Sequence, residues 1–216
     1  MSQNVSQNFL MVITFSIERF LTIQKAYGTG SLDGFLRDIK HFLNARNIPA
    51  ANERCIQQKG SVGNVVISVL KKYEHVIVDS HLTKEQKTVA VQKEIEEATS
   101  LELPMLEKNL TIIATLASIS TLAGLLGTVI GMIKAFAALA TAGAPDAVAL
   151  ANGISEALIN TALGIATSAL AIISYNYFTN RIDTLTYSID EIGFSISQNV
   201  SMGSYKEPVL KQTELV

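Results

Sequence analysis

Apolar residues recur in two different ways along this chain, in long unbroken runs and in stripes at spacings of three and four. The runs come late in the sequence. From Leu110 to Pro145 the one charged residue is Lys134, and from Ala147 to Asn180 it is Glu156. A helix needs about 20 mainly apolar residues to cross a bilayer, so each run is long enough to span. Residues 109–141 and 147–180 are therefore expected to be the second and third transmembrane helices, joined by a turn at 142–146. Their richness in Ala, Thr and Ser also fits a soluble bundle, but so much length without charge argues against one. An earlier apolar segment, Phe9 to Ile17, is followed by Glu18-Arg19 and then by Phe20-Leu21-Thr22-Ile23. It is short for a full crossing. It reads as a first transmembrane helix, residues 1–23, whose outer end is truncated or unusually polar.

Stripes dominate the stretch between. Leu32, Phe35, Leu36, Ile39, Phe42 and Leu43 share one helix face. Pro49 is placed to open a second helix through Ala51, Cys55 and Ile56, with Gly60 to end it. Val65, Val66, Val69 and Leu70 carry a third stripe. Thr83 and Gln86 have the spacing of a capping box, starting a helix through Val91, Ile95 and Ala98. Pro104 is a potential kink in that helix, but apolar residues resume at Leu106 and Leu110. Residues 24–108 are thus expected to be a helical region whose last part rises as a stalk into the second span. Beyond the third span, Ile182, Leu185, Ile189, Ile192 and Ile196 form a heptad-like seam, predicting a helical extension over 181–202 and a disordered tail over 203–216.

Composition agrees with a membrane protein. Mean hydropathy is +0.30, and charged residues make up 17%, against about 25% in soluble domains. Of 17 Lys and Arg, 13 fall between Arg19 and Lys108, and none lies in residues 1–18 or in the turn. That bias places the N-terminus outside and the large region and C-terminus inside. Arg19 follows the first apolar segment instead of preceding it, the wrong order for a cleaved signal peptide. A net charge of −2 without a dense basic cluster gives no reason to expect nucleic acid. The single cysteine, Cys55, excludes an internal disulfide and reads as a small buried hydrophobe. His41, His75 and His81 have no metal-ligand spacing, and no nucleophile elbow or phosphate loop is present, so neither an enzyme, a metal nor a cofactor is expected.

The polar groups inside the spans are the informative ones. A charged carboxylate at bilayer depth costs about 2.5–3.5 kcal/mol, so Glu156 is expected to face a bundle interior or an aqueous path. The alternative puts it in headgroup water, eleven residues after Pro145. Gly153, Ala157 and Thr161 form a small-residue ridge that Gly164 continues, and the second span carries Gly124, Gly127, Thr128 and Gly131. Such ridges let membrane helices approach closely. Thr128 and Thr161 have two possible fates, bonding their own backbone or lining a pore. Lys134 is expected to reach the outer interface, with pairing to Glu156 as the alternative.

Three motifs stand together: Ile17-Glu18-Arg19-Phe20, LLGTVIGMIKAF at 125–136, and GISEALINTALGIATSALAIISYNYF at 153–178. In these the sequence resembles the MotA/TolQ/ExbB proton channel family, on its ExbB/TolQ side. The resemblance implies an all-α membrane protein with three transmembrane helices, the last two extended into the cytosol, forming a homo-pentamer around a central pore. Thr128, Glu156 and Thr161 match the pore-lining threonines and glutamate. It further implies a bacterial inner membrane location, a single-span partner resembling ExbD or TolR in the pore, and a transducer like TonB or TolA. The implied function is conversion of proton motive force into work for TonB-dependent outer-membrane transport. A Tol-type envelope motor and a non-conducting scaffold are the alternatives.

Overall fold

The computed structural model describes residues 2–141 and 147–203, and all regular structure among them is helical. Seven helices follow in order: α1 (Ser2–Tyr27), α2 (Leu32–Asn44), α3 (Ile48–Gln58), α4 (Ser61–Val78), α5 (Lys84–Glu107), α6 (Leu110–Thr141) and α7 (Ala147–Gly203). The turn expected at 142–146 and the tail beyond Gly203 lie outside the described residues. Contacts divide the chain into two units. One takes α1 up to Thr22 together with Glu107–Arg181; the other takes Ile23–Leu106 and the residues from Ile182 on.

The first unit is built with its small residues inside and its large ones out. On α6 the seam of buried positions runs through Leu110, Ile113, Ala117, Ser120, Gly124, Gly127 and Ala135. On α7 it runs through Ala157, Asn160, Gly164, Thr167, Ala171 and Phe178. The steps are three and four, widening to eight from Gly127 to Ala135 and to seven from Ala171 to Phe178, as in a packed helix pair. Meanwhile Leu122, Leu125, Leu126, Val129, Ile133 and Phe136 of α6 are exposed, as are Leu158, Ile159, Leu163, Ile165 and Ile173 of α7. A soluble bundle would bury those side chains. Small residues at the seam with large apolar ones outward is the pattern that suits packing in lipid, where close backbone approach drives association. Two helical stretches, within 84–138 and 147–201, are long and apolar enough to cross a membrane. α1 has the length, but its polar start and Glu18-Arg19 keep it out of that pair.

Helices α5 and α6 are separated at Lys108-Asn109, where Asn109 takes a left-handed backbone with φ +64°. The helix expected to run on as a stalk into the second span is thus interrupted at Lys108-Asn109, while Pro104, a potential kink, sits inside α5. Asn is one of the few side-chained residues that adopts this backbone readily. Its amide also works here: Asn109 Nδ2 donates to Glu18 Oε2 at 3.2 Å. Glu18 in turn takes Arg19 Nε at 2.6 Å and a second contact from the same guanidinium. Arg19 is 1% exposed, and a cation so buried requires a partner of opposite charge.

In the second unit the stripes of α2 and α4 face inward. Phe35, Leu36, Ile39 and Leu43 are buried with Val65, Val66, Val69 and Leu70. Ser31 caps α2 and Asn47 caps α3, each accepting from a backbone N–H three residues on, and Pro49 lies in the first turn of α3. Thr83 and Gln86 make both bonds of a capping box at the start of α5, at 2.8 and 3.3 Å. At the end of α1, Gly28 has φ +73° and its Cα lies so near the Gln58 carbonyl that no side chain fits. Thr29 N–H donates to that same carbonyl at 2.7 Å, and the buried Gln58 amide donates to Tyr27 O at 2.9 Å. Ile182, Leu185, Ile189, Ile192 and Ile196 are all buried within this unit.

Cys55 is buried on α3, and burial pushes its thiol up to about 12. The thiolate is the reactive form. At pH 8 the native chain should therefore resist maleimide labelling and react fully once unfolded in denaturant, as intact-mass measurement would read. Rapid labelling of the native chain would mean that this packing is wrong.

Candidate functional site

In the first unit α6 and α7 run antiparallel with their glycines interleaved. A Cβ built on Gly124 would meet Asn160 O at 3.2 Å and Gly164 Cα at 3.2 Å. One on Gly131 would meet Ala157 Cβ at 2.7 Å, and one on Gly153 would meet Ala135 Cβ at 2.8 Å. Gly164 is tightest against backbone, its added Cβ lying 2.6 Å from Ser120 O. Gly124, Gly127, Gly131, Gly153, Ala157 and Gly164 thus all lie where the two helices touch. Gly127 carries the side chain of Asn160, whose Cβ would be 3.1 Å from an added Cβ.

That closeness brings two hydroxyls together. Thr128 and Thr161 are hydrogen-bonded to each other, and each also lies 3.1 Å from the Gly124 carbonyl oxygen. The arrangement combines the two possible fates of a membrane threonine, since both hydroxyls touch backbone and both reach across the pair. Three oxygens share two protons here, so only two of the three contacts can be hydrogen bonds at once. One hydroxyl donates to the carbonyl and the other to its neighbour, and the two orderings differ by little more than rotation of the hydroxyls. Both threonines are half-buried. They line a groove of about 770 Å³ whose other walls are Leu125, Val129, Met132, Ile133, Phe136 and Leu158. Two hydroxyls are thus the polar spot in an otherwise apolar surface.

Glu156 stands apart from them. It is exposed and has no hydrogen-bond or ion-pair partner among the described residues. Five residues separate it from Thr161, which turns it about 140° around the helix. Lys134 is also exposed and makes no ion pair with it. Within the chain, then, the threonines meet while the carboxylate faces outward on another side of α7.

Sequence reading passed over three further features. Asn160 is 3% exposed and its Oδ1 accepts no hydrogen bond among the described residues. Ser120 is fully buried with its Oγ in the same condition. An unpaired buried polar group costs roughly 1–3 kcal/mol, so neither is a neutral choice. A second cleft of about 390 Å³, lined by Ala114, Ala117, Ser118, Thr121, Ser168, Ile172 and Tyr175, brings four hydroxyls together. The available signal was polar residues within apolar runs, but Ser and Thr are too common in membrane helices to stand out.

Comparison with known proteins places the chain in a family. Residues 63–191, more than half of the chain, match the MotA/TolQ/ExbB proton channel family. Among individual relatives, a putative biopolymer transport protein ExbB-like 3 of Synechocystis is 36% identical over 86 residues, covering 39% of this chain and 41% of that one. The Tol-Pal system protein TolQ of Pseudomonas aeruginosa is 40% identical over 95 residues, covering 44% and 41%. The biopolymer transport protein ExbB of Helicobacter pylori is 40% identical over 81 residues, covering 38% and 56%. The matched stretch therefore spans about half or less of each of these relatives. With its seam of small residues and outward apolar faces, this membrane protein belongs to the MotA/TolQ/ExbB proton channel family, on its ExbB/TolQ side.

Proposed function

We propose that this chain is the proton-channel subunit of an inner-membrane motor that converts proton motive force into mechanical work for TonB-dependent outer-membrane transport. The observation that carries this reading is the meeting of the Thr128 and Thr161 hydroxyls over the Gly124 carbonyl in an apolar groove. Hydroxyls that exchange donors at little cost are suited to hold water and pass a proton. Glu156 is the titrating group. Its position on another side of α7 suits an assembly in which a neighbouring copy or a partner helix brings it to the path. The motor is a homo-pentamer around a central pore, with an ExbD-like or TolR-like single-span helix inside it and a TonB-like or TolA-like transducer outside. The N-terminus lies in the periplasm, the C-terminus in the cytoplasm.

Because relatives of both ExbB and TolQ type match this chain, a Tol-type envelope motor is the second reading. Deleting the gene separates them: failure of receptor-dependent iron uptake marks the first, detergent sensitivity the second.

The threonines test the conducting role. Thr128→Val and Thr161→Val keep shape and remove one hydroxyl each. Each should lower proton-driven work by about tenfold, the worth of one neutral hydrogen bond of about 1.4 kcal/mol, with oligomer size unchanged on size-exclusion chromatography. Wild-type activity in both variants would leave the spans as a packing scaffold only.

A further inference from the structure

The buried amide of Asn160 is not used by the reading above, and it lies one helical turn from Glu156. Positions four apart on a helix are neighbours on one face. Side chains on a helix also lean toward its N-terminus, which is the direction of Glu156 from Asn160. Its placement is set from across the seam. Gly127 leaves room for it, and a Cβ there would lie 3.1 Å from Asn160 Cβ and 3.6 Å from Nδ2. The side chain is 3% exposed, yet its Oδ1 accepts nothing among the described residues. Lipid has no donor to offer. Glu156, four residues away, is likewise without a partner among the described residues.

We infer that Asn160 is a positioning residue for Glu156, serving both of its protonation states. The chemistry is specific to a carboxamide, which carries an acceptor and two donors on one planar group. When Glu156 is protonated its O–H donates to Asn160 Oδ1. When Glu156 is ionised, rotation of the amide presents Nδ2–H to the carboxylate. The side chain thus keeps one hydrogen bond through a full cycle of proton loading and release, and holds the carboxyl at one place on α7. Other charged groups do not fill this role. On α6 the spanning run carries Lys134 alone, which makes no ion pair with Glu156. Residues 2–17 of α1 carry no charge, and Glu18 and Arg19 at its other end are committed to each other. The inference rests on Glu156 being the titrating group of the proposed channel.

The test is infrared difference spectroscopy on the full chain in lipid vesicles, cycled between acid and alkaline buffer. The carboxylic-acid C=O band that disappears in Glu156→Gln belongs to Glu156. In Asn160→Leu, and in the smaller Asn160→Ala if the first does not assemble, that band should move to higher wavenumber as the acid loses its acceptor. Asn160→Ser, which keeps a group able to donate and accept, should move it less. Proton-driven work should fall about tenfold in the Leu and Ala variants, the worth of one such bond. An unmoved band in assembled Leu or Ala variants overturns the inference. Full work in Glu156→Gln would instead remove the channel reading, and the band would still judge the contact.

Discussion

Glu156→Gln is expected to abolish proton-driven work while leaving the chain assembled in the membrane. The two side chains have nearly the same shape and both are polar, so insertion and packing should not distinguish them. Glu156 is exposed on α7, and a glutamine there can still exchange a hydrogen bond with the Asn160 amide. What is lost is the ability to take and release a proton. Groups that transfer protons in a rate-determining step contribute about 10²- to 10⁴-fold, so activity should fall by at least about 100-fold. Receptor-dependent uptake in cells, read beside oligomer size and membrane abundance, would measure both halves of the claim. Glu156→Asp, which keeps the acid but shortens its reach, should recover part of the loss. Full activity in the glutamine variant would take Glu156 out of the mechanism and turn attention to the hydroxyls.

The carboxylate was legible from sequence because its cost in a bilayer marks it out; no other acid lies between Leu110 and Pro145 or between Ala147 and Asn180. The small-residue ridges were legible for a similar reason, since glycines at spacings of three and four rarely serve anything but close approach. The position of the break between α5 and α6 was not. Apolar residues resume past Pro104, so the pattern predicts a helix that runs on unbroken; a proline removes a single N–H bond, and α5 accommodates it. Asn109 ends the run because its left-handed backbone is held by the Glu18 carboxylate, ninety-one positions earlier in the chain. Periodicity sees only near neighbours, so that contact was invisible.

Asn160 shows a second limit. It occurs beside Thr161 in a motif read for its threonine and its glutamate, and a single Asn among apolar residues gives no hint of which way it points. Only the facing helix decides that. Because Gly127 leaves space opposite, the amide is buried in the seam and not turned to the surface. The separation of Glu156 from Thr161 is the same kind of fact seen in reverse. A motif names both residues, but five positions on a helix place them about 140° apart. Under the proposed channel, their joint use would belong to the assembly and not to one copy of the chain.

Gly164→Ala is expected to be the most damaging conservative change in the seam, and magnitudes decide it. In an exposed helix, replacing Gly by Ala stabilises by about 0.8–1.0 kcal/mol. Against that, the new methyl at position 164 would lie 2.6 Å from Ser120 O and 2.9 Å from Gly124 Cα. Both are backbone atoms, which cannot turn aside, so α6 and α7 must move apart. Overpacking of this kind costs about 1–3 kcal/mol, and the net effect should be destabilising. Gly127→Ala offers the contrast. Its methyl would meet Asn160 Cβ at 3.1 Å, a contact relieved by a shift of a few tenths of an ångström, so helix propensity should nearly cancel the crowding. Thermal unfolding in detergent should therefore drop for the alanine at 164 and stay close to wild type for the one at 127. The same displacement pulls Thr161 from the Gly124 carbonyl and from Thr128, so work should fall along with stability. Restored stability without restored work, on adding a second change that gives the methyl room, would show that the hydroxyl contact needs the original spacing. Equal stability of the two alanine variants would instead mean that the helices are not packed at Gly164 as closely as their backbones imply.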